Sequence, residues 1–334
     1  MSRAAAFVVL VLAGCGRIGF DPADGGGGDG PPARSCGALA NTCGPTGTGS
    51  CCESPLVSGG AYYRSHDVSL DAAYADMTNP ATVSSFRLDK YEVTVARFRM
   101  FVAAGQGTQA NPPQAGAGAH GRIPGSGWDA SWNASLAADQ TALVAAIKCD
   151  ATFQTWTDTP DANESRPMNC LNWYEAMAFC AWDGGYLPSE AEWNYAAAGD
   201  SFQRAYPWSS PPSSVLLDDT LQASYYVDAT KQCYGDGVDG CALTDLVVVG
   251  TKPAGDGRWG QSDLAGNVME WMLEWYASYP NLCSDCANLT PDYGRVWRGG
   301  SFYTNSDGLR VAFRSFFVPS DRFEFVGVRC ARTR

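Results

Sequence analysis

The segment "FRLDKYEVTVARFRMFVAAG", Phe86 to Gly105, changes hydrophobic period in mid-course. Apolar side chains alternate through Phe86, Leu88 and Tyr91, and from Thr94 they recur at Val95, Phe98, Phe101 and Val102 before a stop at Gly105. A strand feeding a helix is predicted. Two more helices carry explicit start signals. Asn172 and Glu175 in "NWYEAMAFCAWDGG", and Ser189 and Glu192 in "SEAEWNYAAAG", stand at capping-box spacing, and Gly199 ends the second. Beyond residue 205 the pattern breaks into short strands, glycines, prolines and tryptophans, with no run long enough for a helix. No internal repeat or alternation of strands with helices is present. The pattern predicts an irregular α+β domain with little regular secondary structure.

The first residues decide how the cysteines are read. "MSRAAAFVVLVLAGC" has a positive charge at Arg3, an apolar run from Ala4 to Leu12, and then Ala13-Gly14-Cys15. The run is too short for a membrane-spanning helix, which takes roughly 20 residues, and Leu12-Ala13-Gly14-Cys15 resembles a bacterial lipobox. Residues 1–14 are then a lipoprotein signal peptide, with Cys15 the lipidated N-terminus that anchors the chain to a membrane. Gly16, rather than an aspartate, points to the outer membrane of a bacterial cell envelope. Residues 15–35, rich in Gly, Pro and Asp, lack the apolar side chains to offset ordering and read as a flexible tether.

Of thirteen cysteines, twelve remain after Cys15, an even number in an exported chain, so disulfides are the default. Cys36, Cys43, Cys51 and Cys52 crowd residues 36–54, a segment short of core-forming residues. Cys283 and Cys286, in "CSDC", read as a structural loop disulfide in this compartment. With 45% hydrophobic and 12% aromatic residues, and no second linker, residues 55–334 can bury one large core. The net charge of −12 argues against a nucleic-acid partner, whose phosphates call for Lys and Arg. His66 and His120 read as solvated loop histidines, too few for a triad of histidine ligands.

Six motifs in order, "FRLDKYEVTVARF", "RPMNCLNWYEAMAFCAWDGGYLPSEAEWNYAAAG", "YPW", "SDLAGNVMEWMLEWY", "RVWRGGSF" and "VGVRCAR", resemble the sulfatase-modifying factor family, which includes the formylglycine-generating enzymes. The resemblance implies a fold related to the C-type lectins, and a disulfide between Cys180 and Cys330. Active members use two cysteines after the R-G-G-S motif to bind copper and oxidise a sulfatase cysteine with oxygen. Here Ser301 keeps the family serine, but the cysteine positions hold Thr304 and Leu309 in a shortened loop, so no copper is expected. Met269 replaces the tryptophan of the G-N-x-W-E-W motif, which implies an altered pocket wall.

The resemblance also implies a calcium site built from Asp263, Gly266, Val268 and Glu270, an all-oxygen set suited to a cation that takes six to eight ligands at about 2.4 Å. The alternative is that Asp263 caps a turn and Glu270 forms hydrogen bonds between Trp271 and Trp275. The aromatic residues Trp208, Trp259, Trp271, Trp275 and Trp297 suit a core, or a groove rimmed by "YTNSDG" that takes a peptide, protein or glycan. The expected function is a ligand-binding or structural module without oxidase chemistry. The alternative is a divergent formylglycine-generating oxidase or other modifying enzyme of the same family.

Overall fold

The computed structural model describes residues 33–334 except 70, 219 and 281; Cys15 and the tether up to residue 32 lie outside the described residues. The change of period after Phe86 produces strand β4 (Phe86–Leu88) and helix α1 (Val95–Ala103), whose N-cap Thr94 accepts from the Arg97 N–H. β4 is the middle strand of a small sheet between β1 (Leu56–Val57) and β12 (Ala331–Arg332), both antiparallel to it. The end of the domain is thereby paired to its beginning.

Helices α3 (Trp173–Trp182) and α4 (Glu190–Ala198) both start in complete capping boxes. Every residue of α4 is buried, so its polar side chains need partners inside the protein. Glu190 receives Arg298 and Arg314, Asn194 donates to the Val311 carbonyl, and Glu192 receives Ser189, Tyr186 and His120. His120 lies 3.0 Å from Glu192 and is 5% exposed, while His66 is 8% exposed and its Nδ1 donates to the Tyr74 carbonyl. The reading of both as solvated is corrected: loops from distant parts of the chain fold over each ring. Helix α2 (Gln140–Ala146), capped by Asp139, has no counterpart in the sequence reading because its short alanine-rich run lacks a strong apolar period.

The principal sheet runs in the order β10 (Ser315–Phe317), β9 (Arg295–Arg298), β7 (Met269–Trp275) and β11 (Val326–Gly327). β9 is antiparallel to β7 and β11 parallel to it, and six of the seven β7 residues are buried. One core packs Phe98, Phe101, Trp173, Phe179 and Trp271 between α1, α3 and this sheet; a second gathers Phe86, Leu88, Trp193, Tyr195 and Met272 around α4. A third sheet pairs β2 (Gly60–Tyr63) with β3 (Pro80–Val83), and β3 with β8 (Cys283–Ser284) in parallel. β5 (Tyr226–Val227) and β6 (Gln232–Cys233) form a separate hairpin.

Six disulfides join all twelve described cysteines: 36 to 52, 43 to 51, 149 to 170, 180 to 330, 233 to 241 and 283 to 286. The Cys-rich segment is tied to the rest by Glu53, paired with Lys90, and by Thr42, which accepts from Ser165, while the preceding Ser35 donates its N–H to Asp183 and accepts from Arg97. Cys43 and Cys51 pack against Tyr91 and Val249. Among the described residues no helix is long and apolar enough to cross a membrane.

Candidate functional site

β9 ends at Arg298, and the chain turns through Gly299 and Gly300 at φ of 94° and 67°. A Cβ on Gly300 would stand 2.7 Å from Leu309 Cδ2 and 2.9 Å from the Gly308 carbonyl oxygen, so this left-handed passage requires glycine. Arg298 is fully buried and fixes the far end, donating to the Val311 and Phe313 carbonyls at 3.0 and 2.7 Å and to Glu190 at 2.6 Å. With both ends clamped, the middle of the loop reaches the surface.

In that loop the Ser301 N–H donates to Thr304 Oγ1 at 3.0 Å, and the two hydroxyl oxygens are also 3.0 Å apart. The Tyr303 N–H donates to Ser301 Oγ, so these hydroxyls stitch the turn together. Asn305 donates to Asp228 at 2.7 Å and caps the short helical turn Ser306–Leu309. Leu309 is 1% exposed and packs with Tyr206, Ala223, Tyr225 and Ala265; it belongs to the core.

Beside the loop runs a groove of about 580 Å³. Asn305, Ser306, Asp307 and Arg310 form one wall, and Tyr206 and the stretch from Tyr225 to Ala229 form the other. Tyr303, half exposed, stacks on Tyr226 at 5.8 Å, and Val215 and Leu216 stand exposed on the rim. Trp208 stacks on Tyr206 at 5.0 Å with ring planes 9° apart. Trp271 and Trp297 are buried, whereas Trp259 and Trp275 are half-buried away from this wall. Met269, paired with Val326 in the core, does not line this groove. Tyr226 and Asp228 had no signal in the sequence, because the stretch after residue 205 has no period and meets the loop only through the fold.

Beneath the loop lies the Asp263 to Glu270 turn. The Gly266 N–H donates to the Gly299 carbonyl, and the Phe302 N–H to the Asn267 carbonyl, each at 2.9 Å. Asp263 accepts from the Gly250 N–H at 2.6 Å, and burial pushes its carboxyl up to about 6. The Val268 N–H donates to Glu92, whose carboxyl burial, reinforced by Asp263, holds well above the usual carboxylate range. One oxygen of Glu270 accepts twice from Arg329, at 2.9 and 2.8 Å, and the other accepts from the Trp193 indole at 2.7 Å. The indole is that of Trp193, not Trp271 or Trp275.

Of the four residues expected to hold calcium, Glu270 has both carboxylate oxygens engaged by Arg329 and the Trp193 indole. A calcium cage converges oxygens on one point, whereas the Glu270 carboxylate is directed to a guanidinium that already supplies the positive charge. Among the described residues no three His, Cys, Asp or Glu side chains gather as a metal cluster. Thr304 and Leu309 offer a hydroxyl and a hydrocarbon where a copper–dithiolate centre needs two thiolates.

A family model described as "Sulfatase-modifying factor enzyme 1-like domain" matches residues 41–334. The chain belongs to the sulfatase-modifying factor family. The formylglycine-generating enzyme of Mus musculus is 28% identical over 264 residues, covering 75% of this chain and 66% of the mouse protein. That of Thermomonospora curvata is 28% identical over 275 residues, covering 75% and 82%. The hercynine oxygenase of Mycolicibacterium smegmatis is 28% identical over 323 residues, covering 91% of this chain and 66% of that protein. The chain thus spans about two thirds of the mouse and mycobacterial relatives. The structure of PvdO from Pseudomonas aeruginosa superposes with a TM-score of 0.56 at 18% identity, over 84% of this chain and 93% of that one. The α+β fold, poor in regular secondary structure, is that of the sulfatase-modifying factor family.

Proposed function

We propose that this family member is a lipid-anchored binding module of the cell envelope, without oxidase activity, and that its groove beside residues 301–310 takes a peptide or glycan. The observation that carries the reading is the chemistry of the loop: Thr304 is bonded to Ser301, Leu309 is core, and every described cysteine is already in a disulfide. The groove has stacked tyrosines at its edge and acids at Asp228 and Asp307, with the Arg310 guanidinium in its wall already paired with Asp67, a mixture that suits stacking and hydrogen bonding to a polar ligand. The lipobox at Cys15 supports anchoring to the envelope.

The relatives, a formylglycine-generating enzyme and a hercynine oxygenase, favour a second reading: a divergent oxidoreductase of the same family. One assay separates the two. The purified chain is incubated with Cu(I), oxygen, reductant and a cysteine-containing sulfatase peptide, and aldehyde is sought by mass spectrometry. The binding reading expects none above a protein-free control; turnover establishes the oxidoreductase. Screening peptide and glycan arrays with wild type and Tyr303→Ala completes the test. A ligand of this groove should bind the variant roughly tenfold more weakly, the loss of one stacking contact worth about 1.4 kcal/mol.

A further inference from the structure

Around Cys286 lies a small cavity that shares no lining residue with the binding groove. It has room for about one water, at about 20 Å³, and Arg64, Glu190, Glu274, Tyr279 and Arg314 line it with Cys286. We propose that the Cys283–Cys286 disulfide is a thiol–disulfide exchange site, in which Cys286 is the sulfur that reacts and Arg64 stabilises its thiolate.

Arg64 carries the inference. It is 3% exposed, its Nη1 lies 3.6 Å from Cys286 Sγ, and its other donors reach only the carbonyls of Asn79, Pro80 and Pro280. The guanidinium stacks 4.4 Å over the Tyr279 ring, and among the described residues no carboxylate forms an ion pair with it, although Glu190 and Glu274 act on it from the same cavity. Glu190, the ionised acid of the cavity, is taken by Arg298 and Arg314. A buried guanidinium without a direct ion pair, though Glu190 and Glu274 share its cavity, thus touches the one sulfur that becomes an anion on reduction. A cation in contact with a thiolate makes it a better leaving group and a stable product.

Three further features fit the same chemistry. The loop does not depend on its crosslink: the Asp285 N–H donates to the Thr82 carbonyl, and the Asp285 carboxylate accepts from the Ser84 N–H and hydroxyl, at 2.7 Å each. Both sulfurs therefore stay in place when the bond opens. Cys286 is half-buried and reachable, whereas Cys283 is 7% exposed in β8. Glu274 is 5% exposed on the cavity wall, and burial beside Glu190 holds its carboxyl well above the usual range, which makes it a proton reservoir. The remaining nearby charge is Arg122, 3.7 Å from Asp285.

The exchange balances with an external thiol as reductant. Its thiolate attacks Cys286 Sγ, forming a mixed disulfide and breaking the internal bond, and the electron pair goes to Cys283, which takes a proton. A second external thiolate attacks the outer sulfur of the mixed disulfide. The external disulfide leaves and Cys286 remains as a thiolate beside Arg64, so two external thiols are oxidised and one protein disulfide is reduced.

The test equilibrates the purified chain in graded mixtures of reduced and oxidised glutathione, quenches with acid, and maps alkylated peptides. Cys283 and Cys286 should be reduced reversibly while Cys180 and Cys330 stay paired. Once reduced, Cys286 should alkylate at pH 7 roughly tenfold faster than an ordinary thiol of pKa about 8.5, and Arg64→Met should remove that advantage while Arg64→Lys keeps most of it. If Arg64→Met does not fold, Cys283→Ser leaves Cys286 free for direct measurement of its reactivity against pH. The proposal is overturned if the pair opens only with global unfolding, or if Cys286 reacts as an ordinary thiol in wild type or in Cys283→Ser.

Discussion

Asp263 shows how one buried acid sets a pH dependence. Its carboxyl titrates at about 6 in the folded chain, because burial disfavours the ionised form, against about 3.9 when unfolded. The folded state holds the proton more tightly, so this contribution to stability is fully present below pH 4 and is lost as pH rises through 6. Asp263→Asn keeps an acceptor for the Gly250 N–H and tolerates the positive φ of 58°. Relative to wild type, the variant should gain up to about 3 kcal/mol between pH 4 and 7, read from urea titrations at each pH. A constant difference across that range contradicts the assignment. Glu270→Gln removes the counter-charge of buried Arg329 and should cost about 3–5 kcal/mol. The loss should be the same in calcium and in chelator, measured by melting; a stabilisation by calcium that the variant abolishes would restore Glu270 as a ligand.

At the scale of an element, the N-terminus of α4 does more than start a helix. The Ser189 hydroxyl and N–H both bond Glu192, and the same carboxylate receives Tyr186 and His120. Ser189→Ala should cost about 1–2 kcal/mol, the upper part of the range for a lost cap, because the Glu192 N–H left without an acceptor is buried. Chemical denaturation of the variant checks this, and a change below about 0.3 kcal/mol would show that the box is dispensable.

For the whole molecule, the link from Cys180 in α3 to Cys330 beside β12 closes a sequence separation of 150 residues. On chain-entropy grounds such a loop contributes up to about 5 kcal/mol, against about 2 for a crosslink as short as Cys283–Cys286. The double variant Cys180→Ser, Cys330→Ser should therefore melt far below wild type. Cys283→Ser, Cys286→Ser should fall only slightly, and equal losses from the two pairs would contradict this ranking.

What the sequence by itself determined was local and ordered along the chain. The change of period after Phe86, the boxes at Asn172 and Ser189, and the six motifs in succession were enough for two strong helices, the α+β class and the family, since capping and periodicity act between residues a few positions apart. The replacement of thiols at Thr304 and Leu309 was legible for the same reason. Tertiary structure alone decided the rest. It placed Leu309 and Met269 in core clusters. It buried both histidines, and it directed Glu270 to Arg329, 59 positions later in the chain. It also set Arg64 against Cys286, 222 positions away. Burial and charge pairing are properties of neighbours in space, and in a domain built from short strands and long loops those neighbours are seldom neighbours in sequence.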